Sequence, residues 1–201
     1  MSGTRSPDRT ALQRRITRVL SAFRTVAVHM ASTRRDSDEA ALHLAGRIGA
    51  IGRAALADGY GLDLELLVLD ELTAHAVKPN QYDIRGVDVQ LDDGAAHLMS
   101  LVIHELATNA VKYGALTQPD ARLRVLWWHT GAPESQRLHF EWSEEGMQLA
   151  EDEPRQIGFG SDVIQRLIAR ELHGMGELSF SSSGMHCVIE IPLAEAPYPD
   201  D

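Results

Sequence analysis

The stretch His104-Glu105-Leu106-Ala107-Thr108-Asn109-Ala110-Val111-Lys112-Tyr113-Gly114 decides how the rest of the chain is read. It closes a segment that reads as a helix from about Asp93, capped by Asp92 or Asp93, to Tyr113, with Gly114 in the usual terminating role. On that helix Glu105, Asn109 and Lys112 share one stripe, because neighbours three and four residues apart lie one above the other. Met99, Val102, Leu106, Ala110 and Tyr113 form a separate stripe that faces a core. A carboxylate and an amide oxygen suit a hydrated Mg²⁺, which takes few protein oxygens besides phosphate, and an ammonium neutralises phosphate charge. Taken alone, the same three residues equally suit a helix face turned to water.

Downstream, Leu123–Trp128 and Leu138–Trp142 alternate as strands do, flanking the loop Thr130–Gln136. An irregular stretch, Ser143–Gly160, leads to a helix over Asp162–Leu172. Glu177–Ser181 and His186–Ile191, joined by Ser182–Gly184, then read as a hairpin. Upstream, Tyr82–Arg85 and Val87–Leu91 read as strands, and Leu62–His75 as a helix before the turn Lys78-Pro79-Asn80. Strands and helices mix without strict βαβ alternation. The expected class is therefore α+β, with one mixed sheet against a helical layer.

Further upstream the period changes. Ile16, Val19, Phe23, Val26 and Met30 make a short heptad seam, and Ala41, Leu44, Ile48, Ile51 and Ala55 make a second one. Between them Ser32–Asp38 breaks the pattern, with Asp36 or Ser37 as cap. This predicts an N-terminal antiparallel helical hairpin whose apolar stripe pairs with its copy as a dimeric four-helix bundle, or lies on the other domain. The expected organisation is a helical dimerisation region over residues 1–76 and a second domain over 77–201.

The formal charge of −10 argues against non-specific nucleic-acid binding, which depends on neutralising phosphates. Residues 1–35 nevertheless hold eight arginines against the single acid Asp8, a basic segment suited to an acidic partner or to solvent. No apolar run reaches the ~18–20 residues that span a bilayer, and no leader pattern follows the basic start. One cysteine, Cys187, excludes an internal disulfide and a cysteine metal cluster, which fits a cytoplasmic protein.

The segment "IHELATNAVKYGAL" resembles the N box of the HWE group of sensor histidine kinases, within the superfamily of gyrase-type, chaperone-type and histidine-kinase (GHKL) ATPases. His104 and Trp142-Ser143-Glu144 stand where that group has its histidine and its Trp-x-Glu. "GFGSDVIQRLIARELHG" resembles the second glycine box and its helix, and "IEIPL" the last strand. The resemblance runs in order over roughly residues 10–193. It implies a GHKL-type α/β sandwich that binds ATP with Mg²⁺. In it Glu105 and Asn109 serve the metal and the phosphates as catalytic residues, while His104, Lys112 and Tyr113 line the nucleotide pocket. Glu144 would read the adenine amine, beside Gly146. Gly158, Phe159, Gly160 and Ser161 would bring backbone N–H groups to phosphate.

The sequence departs from that pattern in two places. After Trp142-Ser143-Glu144 only Gly146 survives of the group's Gly-Gly-Pro turn, and Glu151, Asp152 and Glu153 make the following loop acidic. In Gln13-Arg14-Arg15-Ile16-Thr17-Arg18, Arg14 occupies the place of the phosphoacceptor histidine. A guanidinium stays protonated and has no lone pair for phosphoryl attack, so no phosphoacceptor is assigned. His29 and His43 are alternative acceptors of low weight. His97, His129, His139, His173 and His186 have no metal-ligand spacing and read as structural.

The resemblance implies a homodimer that engages a response-regulator receiver domain, with input from a separate sensor protein or from further domains of a longer chain. Two other readings stand beside the kinase-like one. The first is a non-enzymatic adaptor or phosphotransfer-type scaffold that docks a response regulator. The second is a serine kinase of the anti-sigma type, against which the hairpin and the Trp-x-Glu element weigh.

Overall fold

The computed structural model describes residues 45–50, 52, 62–75, 77–147 and 163–193. Residues 45–50 and Gly52 are helical; the rest of the expected hairpin lies outside the described residues.

The chain enters the core at a two-residue strand, β1 (Leu62–Asp63), and continues directly into helix α1 (Leu64–Ala74). The helix starts here because Asp63 caps it, its carboxylate accepting the N–H of Leu66 at 3.0 Å. Leu62 and Asp63 are therefore strand, where the sequence predicted helix. Strand β2 (Tyr82–Gly86) follows, then a second two-residue strand, β3 (Gln90–Leu91). β3 pairs antiparallel with β1, Leu62 opposite Leu91, and not with the main sheet. The longer strand expected over Val87–Leu91 shortens because it has only this short partner.

Helix α2 (Asp93–Lys112) is capped by Asp92, which accepts the N–H groups of Gly94 and Ala95 at 2.7 and 3.0 Å. Every residue from Ala95 to Thr108 is buried, so polar side chains on this helix must find partners inside the protein. After α2 come β4 (Arg122–Thr130) and β5 (Arg137–Glu145). A π-type turn over Val163–Leu167 then runs into helix α3 (Ile168–Leu172), which ends at His173 in a left-handed conformation (φ 51°). The hairpin β6 (Met175–Ser181) and β7 (Gly184–Pro192) closes the fold.

Five strands form one sheet in the order β2-β4-β5-β7-β6. β2 runs parallel to β4 and the other neighbours are antiparallel, which makes the sheet mixed. Leu123, Val125 and Trp127 of β4, Leu138, Phe140 and Trp142 of β5, and Met185, Cys187, Ile189 and Ile191 of β7 alternate onto one face. They join α1, α2, Ile164 and Ile168 in a single hydrophobic core. The opposite face carries charge and cross-strand pairs, such as His186 with Glu141 (2.9 Å) and the stacked rings of Trp128 and His139. The expected α+β class with a mixed sheet against a helical layer is what the described residues form.

Leu64, Leu67, Val68 and Leu72 of α1 share that core. Two local expectations change. Tyr113, expected on the core stripe, is 68% exposed. It is the C-cap, and its backbone (φ −137°, ψ −8°) has left the helical path, which carries the ring outward. Gly114 ends α2 in an extended conformation (φ −111°) instead of a left-handed one. Its need for a hydrogen side chain comes from close packing, since a Cβ there would overlap Glu144 Oε2 and lie 2.7 Å from Ala110 Cα.

Candidate functional site

The second half of α2 divides by exposure. Asn109, Lys112 and Tyr113 are exposed at its C-terminal end, whereas His104, Glu105 and Thr108 are buried one turn earlier. Glu105 lies on the predicted stripe but meets a protein cation there. Arg47, from the helical residues 45–50, reaches it with Nε 2.6 Å from Oε1 and Nη2 3.1 Å from Oε2. Both side chains are buried, 4% and 7% exposed. The planar guanidinium matches the carboxylate in a two-point contact that fixes the Glu105 rotamer.

His104 is held on the other side of the same turn. Its Nδ1 lies 2.6 Å from Oε1 of Glu71 on α1, and its ring lies so close to Gly46 that a Cβ there would come within 2.7 Å of Cε1 and Nε2. Glu71 also faces His75 Nε2 at 3.2 Å, and that nitrogen is 3.4 Å from Thr108 Oγ1. Two buried acid–base contacts, Arg47–Glu105 and Glu71–His104, thus join residues 45–50, α1 and α2 around one turn.

Glu144 comes to the C-terminal end of α2 from β5. It is 3% exposed. Oε2 accepts the N–H of Ala115 at 2.7 Å, and Oε1 accepts the indole N–H of Trp142 at 3.2 Å. Burial pushes the Glu144 carboxyl above its ordinary range, and the hydrogen bonds from Ala115 and Trp142 pull it back in part. Gly146, just beyond, takes a positive φ of 75° beside Asp120, a backbone state that glycine adopts at little cost. Cys187 is buried behind this strand, and its thiol is pushed up to about 12 by desolvation, which leaves it unreactive.

Of the residues expected to meet nucleotide, Asn109, Lys112 and Tyr113 therefore share an exposed helix end. Glu144 and Gly146 lie at the neighbouring end of β5. His104 and Glu105 lie beneath, engaged by Glu71 and Arg47. Gly158, Phe159, Gly160 and Ser161 are outside the described residues, as are Arg14, His29 and His43. Nothing in their sequence neighbours marks Arg47 or His75 as a contact of this helix. Glu71-x-x-x-His75 did carry a signal, an acid and an imidazole one turn apart.

No family model matches the chain. Among curated proteins, a blue-light-activated histidine kinase of Brucella ovis is 27% identical over 138 residues, covering 65% of this chain and 28% of the relative. Blue-light-activated histidine kinase 1 of Erythrobacter litoralis is 31% identical over 170 residues, covering 79% of this chain and 45% of the relative. The chain thus spans less than half the length of these relatives. Among solved structures, a blue-light activated histidine kinase of Erythrobacter litoralis superposes with a TM-score of 0.63 at 15% identity, over 96% of this chain and 63% of that one. The histidine kinase domain of such a protein gives 0.54 at 14% identity, over 88% of this chain and 94% of that one. At those identities the likeness is one of fold. The described residues form the GHKL-type fold of histidine-kinase catalytic domains. Within that class the chain is a homologue of the HWE-type histidine kinases.

Proposed function

We propose that this chain is a kinase-like core of two-component signalling that binds ATP-Mg²⁺ on the C-terminal half of α2. The observation that carries this reading is the exposure of Asn109 and Lys112 on one helix end, with Glu105 a turn behind and Glu144 beside them. The Asn109 amide oxygen would be the first protein ligand of a hydrated Mg²⁺, a cation that keeps several waters and takes the rest of its oxygens from phosphate. Lys112 would neutralise phosphate charge. When bound, the metal would supply charge stabilisation for phosphoryl transfer, in which positioning and electrostatics do most of the work. Glu105, like Glu144, keeps lone pairs beyond the two that its donor uses, and one of these would meet metal or water. Glu144 keeps lone pairs beyond the two its donors use, and one of these is what an adenine amine would need.

In this reading Arg14 leaves the chain without an ordinary phosphoacceptor, so phosphate goes to a partner or stays on the nucleotide. The chain acts in the cytoplasm as a homodimer and engages a response-regulator receiver domain. Among the described residues no helix is long and apolar enough to cross a membrane. The adaptor alternative, a scaffold that docks a response regulator without chemistry, has its own support. Both carboxylates assigned to nucleotide are already engaged by protein donors, Glu105 by Arg47 and Glu144 by Ala115 and Trp142.

Calorimetric titration of ATP-Mg²⁺ into the wild type and Asn109→Ala tests the choice. Binding in the wild type that is lost in Asn109→Ala, and lost without Mg²⁺, is the expected result. A wild type that gives no heat hands the case to the scaffold.

A further inference from the structure

Glu71, His75 and His104 bring one carboxylate oxygen and two imidazole nitrogens to within 4.8 Å of one another. Glu71 and His75 stand one turn apart at the end of α1, and His104 comes from the facing turn of α2. From Glu71 Oε1 the distances are 2.6 Å to His104 Nδ1 and 3.2 Å to His75 Nε2. Three such ligands around a tetrahedral cation, with bonds of about 2.1 Å, stand roughly 3.3–3.4 Å apart, so each donor has to shift by no more than about an ångström. The side chains of Glu71 and His104 are 5% and 8% exposed, while His75 is 23% exposed and opens the cluster to solvent on one side. The buried Thr108 hydroxyl lies 3.4 Å from His75 Nε2, within reach of a water in a fourth position.

We propose that Glu71, His75 and His104 form a binding site for a divalent transition-metal ion of the zinc type, with water as fourth ligand. Two imidazoles and one carboxylate suit a borderline cation such as Zn²⁺, whereas Mg²⁺ and Ca²⁺ prefer all-oxygen sets. On binding, the metal takes the place at His104 Nδ1 that now faces Glu71, and the ligating neutral ring carries its proton on Nε2. The ion cross-links α1 to α2 one residue before Glu105, so its occupancy sets the seat of the turn that precedes Asn109. The site is independent of nucleotide and stands whether or not the chain binds ATP.

The test is calorimetry of Zn²⁺ into chelator-treated full chain, in buffer containing Mg²⁺, for the wild type and His75→Ala. His75 sits at a helix end and is partly exposed, so its replacement leaves the metal-free melting temperature near that of the wild type. One Zn²⁺ per wild-type chain, a Zn²⁺-dependent rise in melting temperature, and loss of both in His75→Ala are expected. A wild type without stoichiometric binding, or a variant that binds as well as the wild type, overturns the proposal. Cobalt(II) gives a second reading that needs no variant. Visible bands of a four-coordinate imidazole–carboxylate complex are expected at one equivalent, and a spectrum that stays that of aqueous cobalt overturns the site.

Discussion

Arg47 and Glu105, 58 residues apart in the chain, meet in a buried two-point ion pair whose shorter contact is 2.6 Å. The acid proposed to serve Mg²⁺ thus has its position set by a residue of the preceding helical segment. Replacing Arg47 by Met strands a carboxylate in the interior, and breaking one side of a buried pair costs about 3–5 kcal/mol. Urea unfolding should show a loss of that order. The double variant Arg47→Met/Glu105→Leu should recover most of it, because an apolar pair leaves no charge unpaired. A single variant as stable as the wild type would remove the pair from the account of stability.

Gly114→Ala should destabilise by about 1–3 kcal/mol, the usual cost of forcing a methyl into a closed space. Its extended backbone would accept alanine, so the cost comes from overlap with the Glu144 carboxylate and with Ala110 Cα. Thermal melts check the size. If the cost is relieved when Glu144 is also shortened to Asp, the overlap is its cause.

Glu144 gives a pH signature. Its folded-state pKa is raised, chiefly by burial, so above the ordinary value of 4.5 the folded protein holds more protons than the unfolded chain. Its contribution is fully present below 4.5 and is lost as pH rises through the folded-state value. Glu144→Gln should flatten that part of the stability–pH curve. The amide can accept from Ala115 or from Trp142 but not from both, so an offset of about 1–3 kcal/mol for the stranded donor should appear at every pH. Denaturation curves across the acid range measure slope and offset separately.

Trp127→Phe keeps an aromatic ring in the core but removes the indole N–H that donates to Val87 O at 2.7 Å. A net loss of about 1 kcal/mol is expected, read as a shift in urea midpoint with unchanged slope. A larger loss would mean that the indole also shapes the β2–β4 edge, where it lies against Gly86.

Labelled ATP separates transfer from binding. The wild type should take no phosphate at residue 14, since a guanidinium cannot attack phosphorus. Arg14→His should gain an acid-labile label if the domain delivers phosphate to residue 14 of its own chain. An unlabelled Arg14→His that still binds ATP-Mg²⁺ would point to a partner as acceptor.

Much of this architecture is legible in the sequence itself. Alternation in Leu123–Trp128 and Leu138–Trp142 marks strands whose one face is buried, and Asp92 marks the start of α2 because a carboxylate can take its first free N–H groups. The paired two-residue strands were not legible, since Leu62–Asp63 and Gln90–Leu91 have no periodicity of their own and depend on each other. Nor was the π-type turn over Val163–Leu167, whose apolar spacing also suits an α-helix. At the site, the local spacing of Glu105, Asn109 and Lys112 was readable. The identity of the group across from Glu105 was not, because Arg47 lies far off in sequence and nothing in its neighbours says where its side chain will go.

The parallel pairing of β2 with β4 carries a last consequence, for assembly. Tyr82 lies opposite Leu123, so the whole of α2 is threaded between partners that sit about forty residues apart. β5 and β7 pair across a comparable distance, with Trp142 opposite Cys187, whereas the β4–β5 and β6–β7 pairs join strands that adjoin along the chain. β2 should therefore zip onto the edge late, after α2 has docked, and slow the final approach to the native state more than any hairpin does. Variants that weaken α2 packing should lengthen that last kinetic phase, even where they leave the β4–β5 hairpin intact.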